Sequence, residues 1–527
     1  MPDSTCSTPL PSRIASLVHD HFDALPNRSK PTIFPDGSRE WIPMTGIVAV
    51  KGEDTPSESL HCISITSGAK CLSASQMQRC RGLVLHDCHA EILAIRAFNY
   101  WLLTECQGLM AEDRSTSNPS SSSFIQRRAK NECNTSSESS IDWPPFEFQR
   151  DVKLYMYCTC APCGDGSMEL CMASQEDATP WEVVRKTKQD PETQEGPTLV
   201  DDDLLDGRAH FSLLGVVRRK PSRTDAESTR SKSCSDKLAL KQVSSLLSWQ
   251  TSHLVAPTKN AYLAGLILPE DEISRIACER SFGENGRMKA LRERHWTGET
   301  TDDTVGYRFH PFQVLSVPAE EIQALWRFAK PKSITQTSSP PKDHTLATET
   351  QALPKKSKPG NVSGVWAAAP SSSHMNTMKL SETGSKQLPS LVKSTTGLYE
   401  TIIGGVKQGY KASSIVPRGA SVLSRAKLWA LVEIMVGLSG DAQDHQLEIP
   451  STKTNIAASH GPCEGSGSEL KNTTTYQSIK YNIASAPLRV RREAIRDARE
   501  ALKGWAPNFG DENWGLDVLI DAKKRKR

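Results

Sequence analysis

A chain of 527 residues with 37% apolar side chains has room for one large or two ordinary domains and a sizeable core, which excludes a short peptide or a fibre. A net charge of only +3 excludes a polycation that holds nucleic acid by bulk charge, so any such surface has to come from local clusters of Lys and Arg. A mean hydropathy of −0.46 implies folded segments diluted by solvated inserts. Fourteen cysteines behind an opening Met1-Pro2-Asp3 that is neither basic nor apolar predict an intracellular, reducing compartment and no disulfide framework. The longest apolar stretch, around Ala261 to Leu268, is too short to cross a bilayer as a helix, so no membrane partner is expected.

In chain order, the segment from Arg39 to Ser64 reads as short strands, with Gly46 to Val50 as the clearest apolar run. Ile92, Ile95, Tyr100 and Leu103 recur at helical spacing behind Asp87, which predicts a helix from about Cys88 with His89 and Glu91 at its start. Val152, Leu154 and Met156 alternate with more polar neighbours, a strand signal that ends at the turn-forming Pro162-Cys163-Gly164-Asp165-Gly166. A second helical stretch is predicted after it, with Cys163 where the strand turns into that helix. Three segments, about 114–140, 330–390 and 441–475, are rich in small polar residues and lack the apolar density to offset the entropy of ordering, so disordered inserts are predicted there. Val422 to Gly437 and Leu488 to Leu502 carry apolar residues every three or four positions and read as helices.

The chemistry is carried by three short segments. His89-Ala90-Glu91 alone is compatible with an ordinary helix start, but zinc deaminases pair such a motif with a Pro-Cys turn, and Pro162-Cys163 supplies one. One imidazole and two thiolates leave a fourth zinc position open for water. The small nucleoside deaminases take their second thiolate three residues on, where this chain has Gly166, so the third ligand has to come from elsewhere; Ser233-Cys234-Ser235-Asp236-Lys237 offers it. A rival reading gathers Cys158, Cys160, Cys163 and Cys171 into a closed structural zinc knuckle, which would leave the other two segments without a role.

With these three motifs in this order the chain resembles the adenosine deaminase domain shared by RNA-editing deaminases and eukaryotic tRNA adenosine deaminases. The resemblance continues through Ser67-Gly68-Ala69-Lys70-Cys71, Arg81-Gly82, Lys220-Pro221-Ser222-Arg223, Gly306-Tyr307-Arg308-Phe309 and Lys407-Gln408-Gly409-Tyr410-Lys411. It implies a cytidine-deaminase-like α/β fold, a sheet flanked by helices with a largely helical C-terminal extension, over a domain of about residues 40–520 followed by a basic tail at 521–527. It implies zinc held by His89, Cys163 and Cys234, with Glu91 carrying a proton from water to N1 of adenine. Val48, or its neighbour Ile47, and the pair Ala69 and Lys70 correspond to the substrate pocket wall.

Members of this family also bury inositol hexakisphosphate beneath the zinc. Arg96, Lys237, Lys427, Tyr476, Lys480 and Trp505 match its contacts in order, although Ile95 and Leu240-Lys241 replace other basic or aromatic contacts. No double-stranded-RNA-binding module is recognisable, so the expected substrate is tRNA, in particular the adenosine immediately 3′ of the anticodon of alanine tRNA. A double-stranded-RNA deaminase and a catalytically inactive RNA-binding relative remain the alternatives. Arg218-Arg219-Lys220 with Arg223, and the terminal Lys523 to Arg527, are candidate phosphate contacts, and the terminal run reads equally as a nuclear address. A nuclear or cytoplasmic location is expected, and no protein partner is implied.

Overall fold

A computed structural model of the chain describes residues 8–112, 122–128, 144–174, 205–207, 213–220, 227–297, 304–331, 357–371, 397–438, 475–481 and 485–520. Its centre is an eight-stranded mixed sheet. In chain order the strands are β1 (Met44–Lys51), β2 (Ser59–Ser67), a short pair β3 (Ala69–Cys71) and β4 (Asp87–His89) outside the main sheet, and β5 (Val152–Cys158). They continue with β6 (Leu263–Pro269), β7 (Gln313–Val317), β8 (Val362–Ala367), β9 (Leu398–Ile403) and β10 (Val406–Lys407). The sheet order is β7-β6-β5-β1-β2-β8-β9-β10, parallel between β5, β6 and β7 and antiparallel elsewhere.

Strand β1 shows why the sheet is covered on both sides. Ile47 and Ala49 join one core cluster with the helix α2 (Ala90–Glu112), while Val48 and Val50 join another with α1 (Leu10–Asp23). Period-two alternation sends successive side chains to opposite faces, and both faces here are apolar because both are packed. α1 lies before residue 40, where the sequence places the domain start, yet Ile14, Val18 and Phe22 are essentially fully buried against the sheet. Beyond the sheet lie α3 (Cys234–Ser244), α4 (Arg275–Phe282), α5 (Arg425–Leu438), α6 (Tyr476–Lys480) and α7 (Ala486–Ala501). The last three give the C-terminal part its helical character. Among the described residues no helix is long and apolar enough to cross a membrane.

Two expected inserts are partly ordered. Within 114–140, Ile125–Arg127 forms a strand paired with Phe146–Phe148, anchored by the buried Phe124 and Ile125. Within 330–390, β8 stands between β2 and β9 and places Val365 and Ala367 in the core. A six-residue segment with Val365 and Ala367 buried is enough to complete a sheet whose two neighbouring strands already exist. Its composition was submerged in that of its flanks. Residues 114–121, 129–140, 332–356, 372–390 and 441–474 of the expected inserts, and the basic tail, lie outside the described residues.

Candidate active site

Three chain segments converge at one end of α2. His89 closes β4, one residue before α2 begins, and not within the helix as its periodicity suggested. Its backbone N–H is fixed by the Asp87 carboxylate at 3.0 Å, and its strand partner is Ala69. Asp87 therefore acts within a strand and not as a helix cap. Pro162 and Cys163 follow β5 in a loop; a 3-10 turn at Asp165–Ser167 separates Cys163 from the short helix Met168–Ala173. The helix start belongs instead to Cys234, the first residue of α3, whose N-cap Ser233 accepts the Asp236 N–H. Burial, then the hydrogen bond to Cys163, raises the Cys234 thiol well above its ordinary range.

The two cysteine turns touch along their backbones. The Ser235 N–H donates to the Cys163 carbonyl at 3.0 Å, and the Cys234 N–H donates to the Cys163 sulfur at 3.4 Å. Gly164, at φ +106°, permits this approach, since a Cβ there would stand 2.4 Å from that of Ser233. His89 Nδ1 then lies 3.8 Å from Cys163 Sγ and 3.6 Å from Cys234 Sγ. Tetrahedral zinc, with bonds of about 2.3 Å to sulfur and 2.0 Å to nitrogen, separates its ligand atoms by about 3.5–3.8 Å. The three side chains fit that ion.

Cys158, Cys160 and Cys171 join none of the ligand groups found among the described residues. Cys158 lies buried on β5, and burial above all pushes its thiol far up, the behaviour of a small apolar side chain. Two other groups of possible ligands, Cys71 with Asp87 and His89, and Cys80 with His86 and Asp511, are already served by cations. Lys220 and Lys237 occupy Asp87, and Arg425 donates to His86 Nδ1 at 3.2 Å.

Around the three ligand atoms the charges are matched. Lys220 Nζ donates to Asp87 at 3.0 Å and to the Cys234 sulfur at 3.2 Å, and Lys237 pairs with the same carboxylate. Against the opposing effect of burial, Lys220 and then Lys237 hold Asp87 well below the usual carboxylate range. The hydrogen bond with Cys234 chiefly holds the Cys163 thiol well below its ordinary range. Glu91, in the first turn of α2, is 4% exposed; burial, then the negative charge of Cys163, raises its carboxyl. A carboxyl raised in this way is a better proton acceptor than an exposed one.

The other expected residues divide. Ala69 flanks His89, and Lys70 beside it is exposed, whereas Val48 points into the α1 core cluster. Tyr476, Lys480 and Trp505 belong to a second charged region. The Lys480 ammonium stands 5.8 Å from the Tyr476 ring and the Arg499 guanidinium 5.5 Å from the Trp505 ring. Burial first, then Arg425, Arg499 and Arg491, pulls Lys480 down to about 7. Arg96 is drawn to about 10 by burial and then by Arg425. Lys427 donates to the Ala420 carbonyl at 2.7 Å, with Lys407 and Glu400 as its charged neighbours, and Lys237 is committed to Asp87.

Sequence reasoning missed Lys241, Arg425, Arg491 and Arg499. Lys241 Nζ and Arg491 Nη2 both donate to the Leu247 carbonyl, at 2.9 and 3.1 Å. Arg491 and Arg499 each bury an Nε with no hydrogen-bond partner among the described residues. Clustered buried cations with orphaned donors fit a multiply charged anion. The available signal was Lys241 where a more apolar residue would suit a buried face, and two arginines eight positions apart on α7.

Residues 64–480 match the model of the adenosine-deaminase (editase) domain. The chain belongs to that family. Within the family it is 36% identical over 303 residues to tRNA-specific adenosine deaminase 1 of Schizosaccharomyces pombe, covering 57% of this chain and 66% of that protein. It is 34% identical over 276 residues to tRNA-specific adenosine deaminase 1 of Saccharomyces cerevisiae, covering 52% of this chain and 62% of the relative. Double-stranded RNA-specific editase B2 of Rattus norvegicus is 23% identical over 244 residues, 46% of this chain and 29% of the editase. The matched stretches thus span just under two thirds of the two yeast relatives' lengths.

Proposed function

We propose that this protein deaminates adenosine to inosine hydrolytically in tRNA, with His89, Cys163 and Cys234 as zinc ligands and Glu91 as the proton carrier. The single observation that carries the reading is the convergence of one imidazole and two cysteine sulfurs from distant segments at zinc-like spacing, with a buried, raised carboxyl two residues from the imidazole. Zinc bound there supplies an activated water. Glu91, buried beside the ligand set, would take one proton from water and deliver it to N1 of adenine as the hydroxyl joins C6, and would then carry the second proton of that water to the amino group, which leaves as ammonia. Lys220 keeps positive charge beside Cys234 while Asp87 holds both Lys220 and the backbone of His89.

The tRNA assignment is supported by the higher identity to two tRNA-specific relatives than to the double-stranded RNA editase. Within tRNA we assign the adenosine immediately 3′ of the anticodon of alanine tRNA, an unpaired base that enters a pocket without the cost of melting a helix. A nuclear or cytoplasmic location accords with this reading. The cation cluster around Tyr476 and Trp505 is assigned to inositol hexakisphosphate, in support of which stand its orphaned buried donors. The test is to incubate the purified chain with total cellular tRNA and, separately, with duplex RNA, and to sequence for new inosines. New inosine confined to the position immediately 3′ of the anticodon in alanine tRNA is the expected result; inosine only in duplex RNA overturns the substrate.

A further inference from the structure

Each of the two site cysteines is followed two residues later by an aspartate, in Cys163-Gly164-Asp165 and Cys234-Ser235-Asp236, and both aspartates are 0% exposed. Neither carboxylate belongs to a group of possible metal ligands among the described residues. Asp165 accepts the Gly215 N–H at 2.7 Å, the Ser281 hydroxyl at 2.9 Å and Arg280 Nε at 3.0 Å. Asp236 accepts the Ser233 hydroxyl at 2.6 Å and the Arg218 N–H at 2.9 Å.

One side chain reaches both. Arg287 Nη1 donates to Asp236 Oδ1 at 2.6 Å, while its Nε lies 3.8 Å from Asp165 Oδ2, and the side chain is 4% exposed. Its Nε and Nη2 have no hydrogen-bond partner among the described residues. The guanidinium is therefore held by the two charges and not by a full set of bonds. Its own position is set by a tight turn in which the Arg287 N–H donates to the Arg280 carbonyl at 2.9 Å. A Cβ at Gly286 would come within 2.5 Å of that carbonyl oxygen, so the turn closes only with glycine there.

We propose that Arg287 is a positioning residue that clamps the two Cys-x-Asp turns together and thereby sets the spacing of the Cys163 and Cys234 sulfurs. The inference rests on the zinc reading above. Two buried carboxylates repel one another; Arg280 pairs with Asp165 and the Arg218 charge faces both, but the planar Arg287 cation is the one that hydrogen-bonds Asp236 while standing within ion-pair distance of Asp165, so it ties one carboxylate to the other. Other links between the turns are the Cys234 N–H to the Cys163 sulfur at 3.4 Å, the Ser235 N–H to the Cys163 carbonyl at 3.0 Å, and the Ser235 hydroxyl, which accepts the Gly166 N–H and donates to the Pro162 carbonyl, both at 3.0 Å. These fix the backbones at one edge only. Partners that orient metal ligands in this way commonly govern affinity by about ten- to a hundred-fold.

The test compares the full chain with Arg287→Met, which keeps the bulk and removes the charge, and with Arg287→Lys, which keeps the charge but reaches one carboxylate only. Zinc affinity is read by competition with a chromophoric chelator, and site geometry by the ligand-field absorption of the cobalt-substituted protein. Arg287→Met is expected to lose about ten- to a hundred-fold in zinc affinity and to shift the cobalt spectrum, with Arg287→Lys intermediate. Wild-type affinity and spectrum in Arg287→Met, even with a lowered Tm, would assign the residue to stability alone and overturn the proposal. Should Arg287→Met fail to fold, unchanged values in Arg287→Lys overturn it equally. A wild-type chain that takes up neither metal removes the zinc reading itself, a failure distinguishable from that of the clamp.

Discussion

The two ends of α3 offer a direct comparison. At its first turn, Cys234 meets His89 and Cys163, and the nearby ammonium groups of Lys220 and Lys237 are matched by Asp87 and by sulfur. At its last turn, Lys241 meets Arg491, and beyond it lie Lys480 and Arg499, cations that chiefly face other cations and carbonyl oxygens, while Arg425 beside them pairs with Asp511 at 3.5 Å. Burial, then Arg491, drives the Lys241 ammonium well below its usual range. The first end is electrostatically complete apart from its ion. The second leaves an excess of positive charge, and on the proposed reading one helix links a cation site to an anion site.

The largest expected effect lies at the first end. Cys234→Ala should abolish zinc uptake, measured by elemental analysis, although Cys163 and His89 remain, because two ligands do not hold a structural or catalytic zinc tightly. Retention of full zinc by this variant, with loss in Cys158→Ala, would break the comparison by moving the ion to the β5 cysteines. Next, Glu91→Ala should keep zinc and tRNA affinity while single-turnover inosine formation falls about a hundred- to ten-thousand-fold. Near-normal turnover would show that a different group moves the proton.

The contrast between the two ends is sharpened by removing one cation from each. Lys220→Met leaves Asp87 and Cys234 short of a partner and should cost about 3–5 kcal/mol in denaturant unfolding. Arg491→Met should instead raise the Tm of protein prepared without inositol hexakisphosphate and lower that of protein loaded with it. A fall in both preparations would mean that the cations at the second end are not in conflict.

The smallest effect concerns neither end and serves as a baseline. His19, buried on α1 with Nε2 2.8 Å from the Tyr157 hydroxyl, is lowered by burial from 6.5 to about 4. Its folded-state value is depressed, so its contribution is fully present above pH 6.5 and is lost as the pH falls toward 4, at most about 3 kcal/mol. His19→Phe should flatten the decline of Tm over that window; an unchanged slope would assign the acid sensitivity to other buried histidines.

How far the sequence disclosed this molecule varies with the range of the forces involved. Strand β1, strand β5 and the long helix after His89 announce themselves by local periodicity. Only the start of α2 was misplaced, because Asp87 resembles a cap in sequence and serves as a strand residue bound to two lysines in space. The three proposed zinc ligands were legible because metal chemistry restricts residue type. The cation cluster was half legible: Tyr476 and Lys480 match a pattern, but nothing local marks Arg491 as buried rather than solvated, since α7 carries five arginines. Arg287 could not be found at all, as its role exists only where two distant turns meet. Strand β8 escaped because tertiary pairing, not its own composition, orders it.

That strand also dictates the timing of assembly. β8 pairs with β2 across some three hundred residues of intervening chain, as in the match of Val365 with Thr66. During synthesis at about 5–20 residues per second, β2 therefore waits on the order of a minute or less as a bare edge carrying Ile63 and Ile65. The nascent chain meets its greatest aggregation hazard in that interval, and a ribosome stalled before Val362 would release a product whose sheet still has an open side.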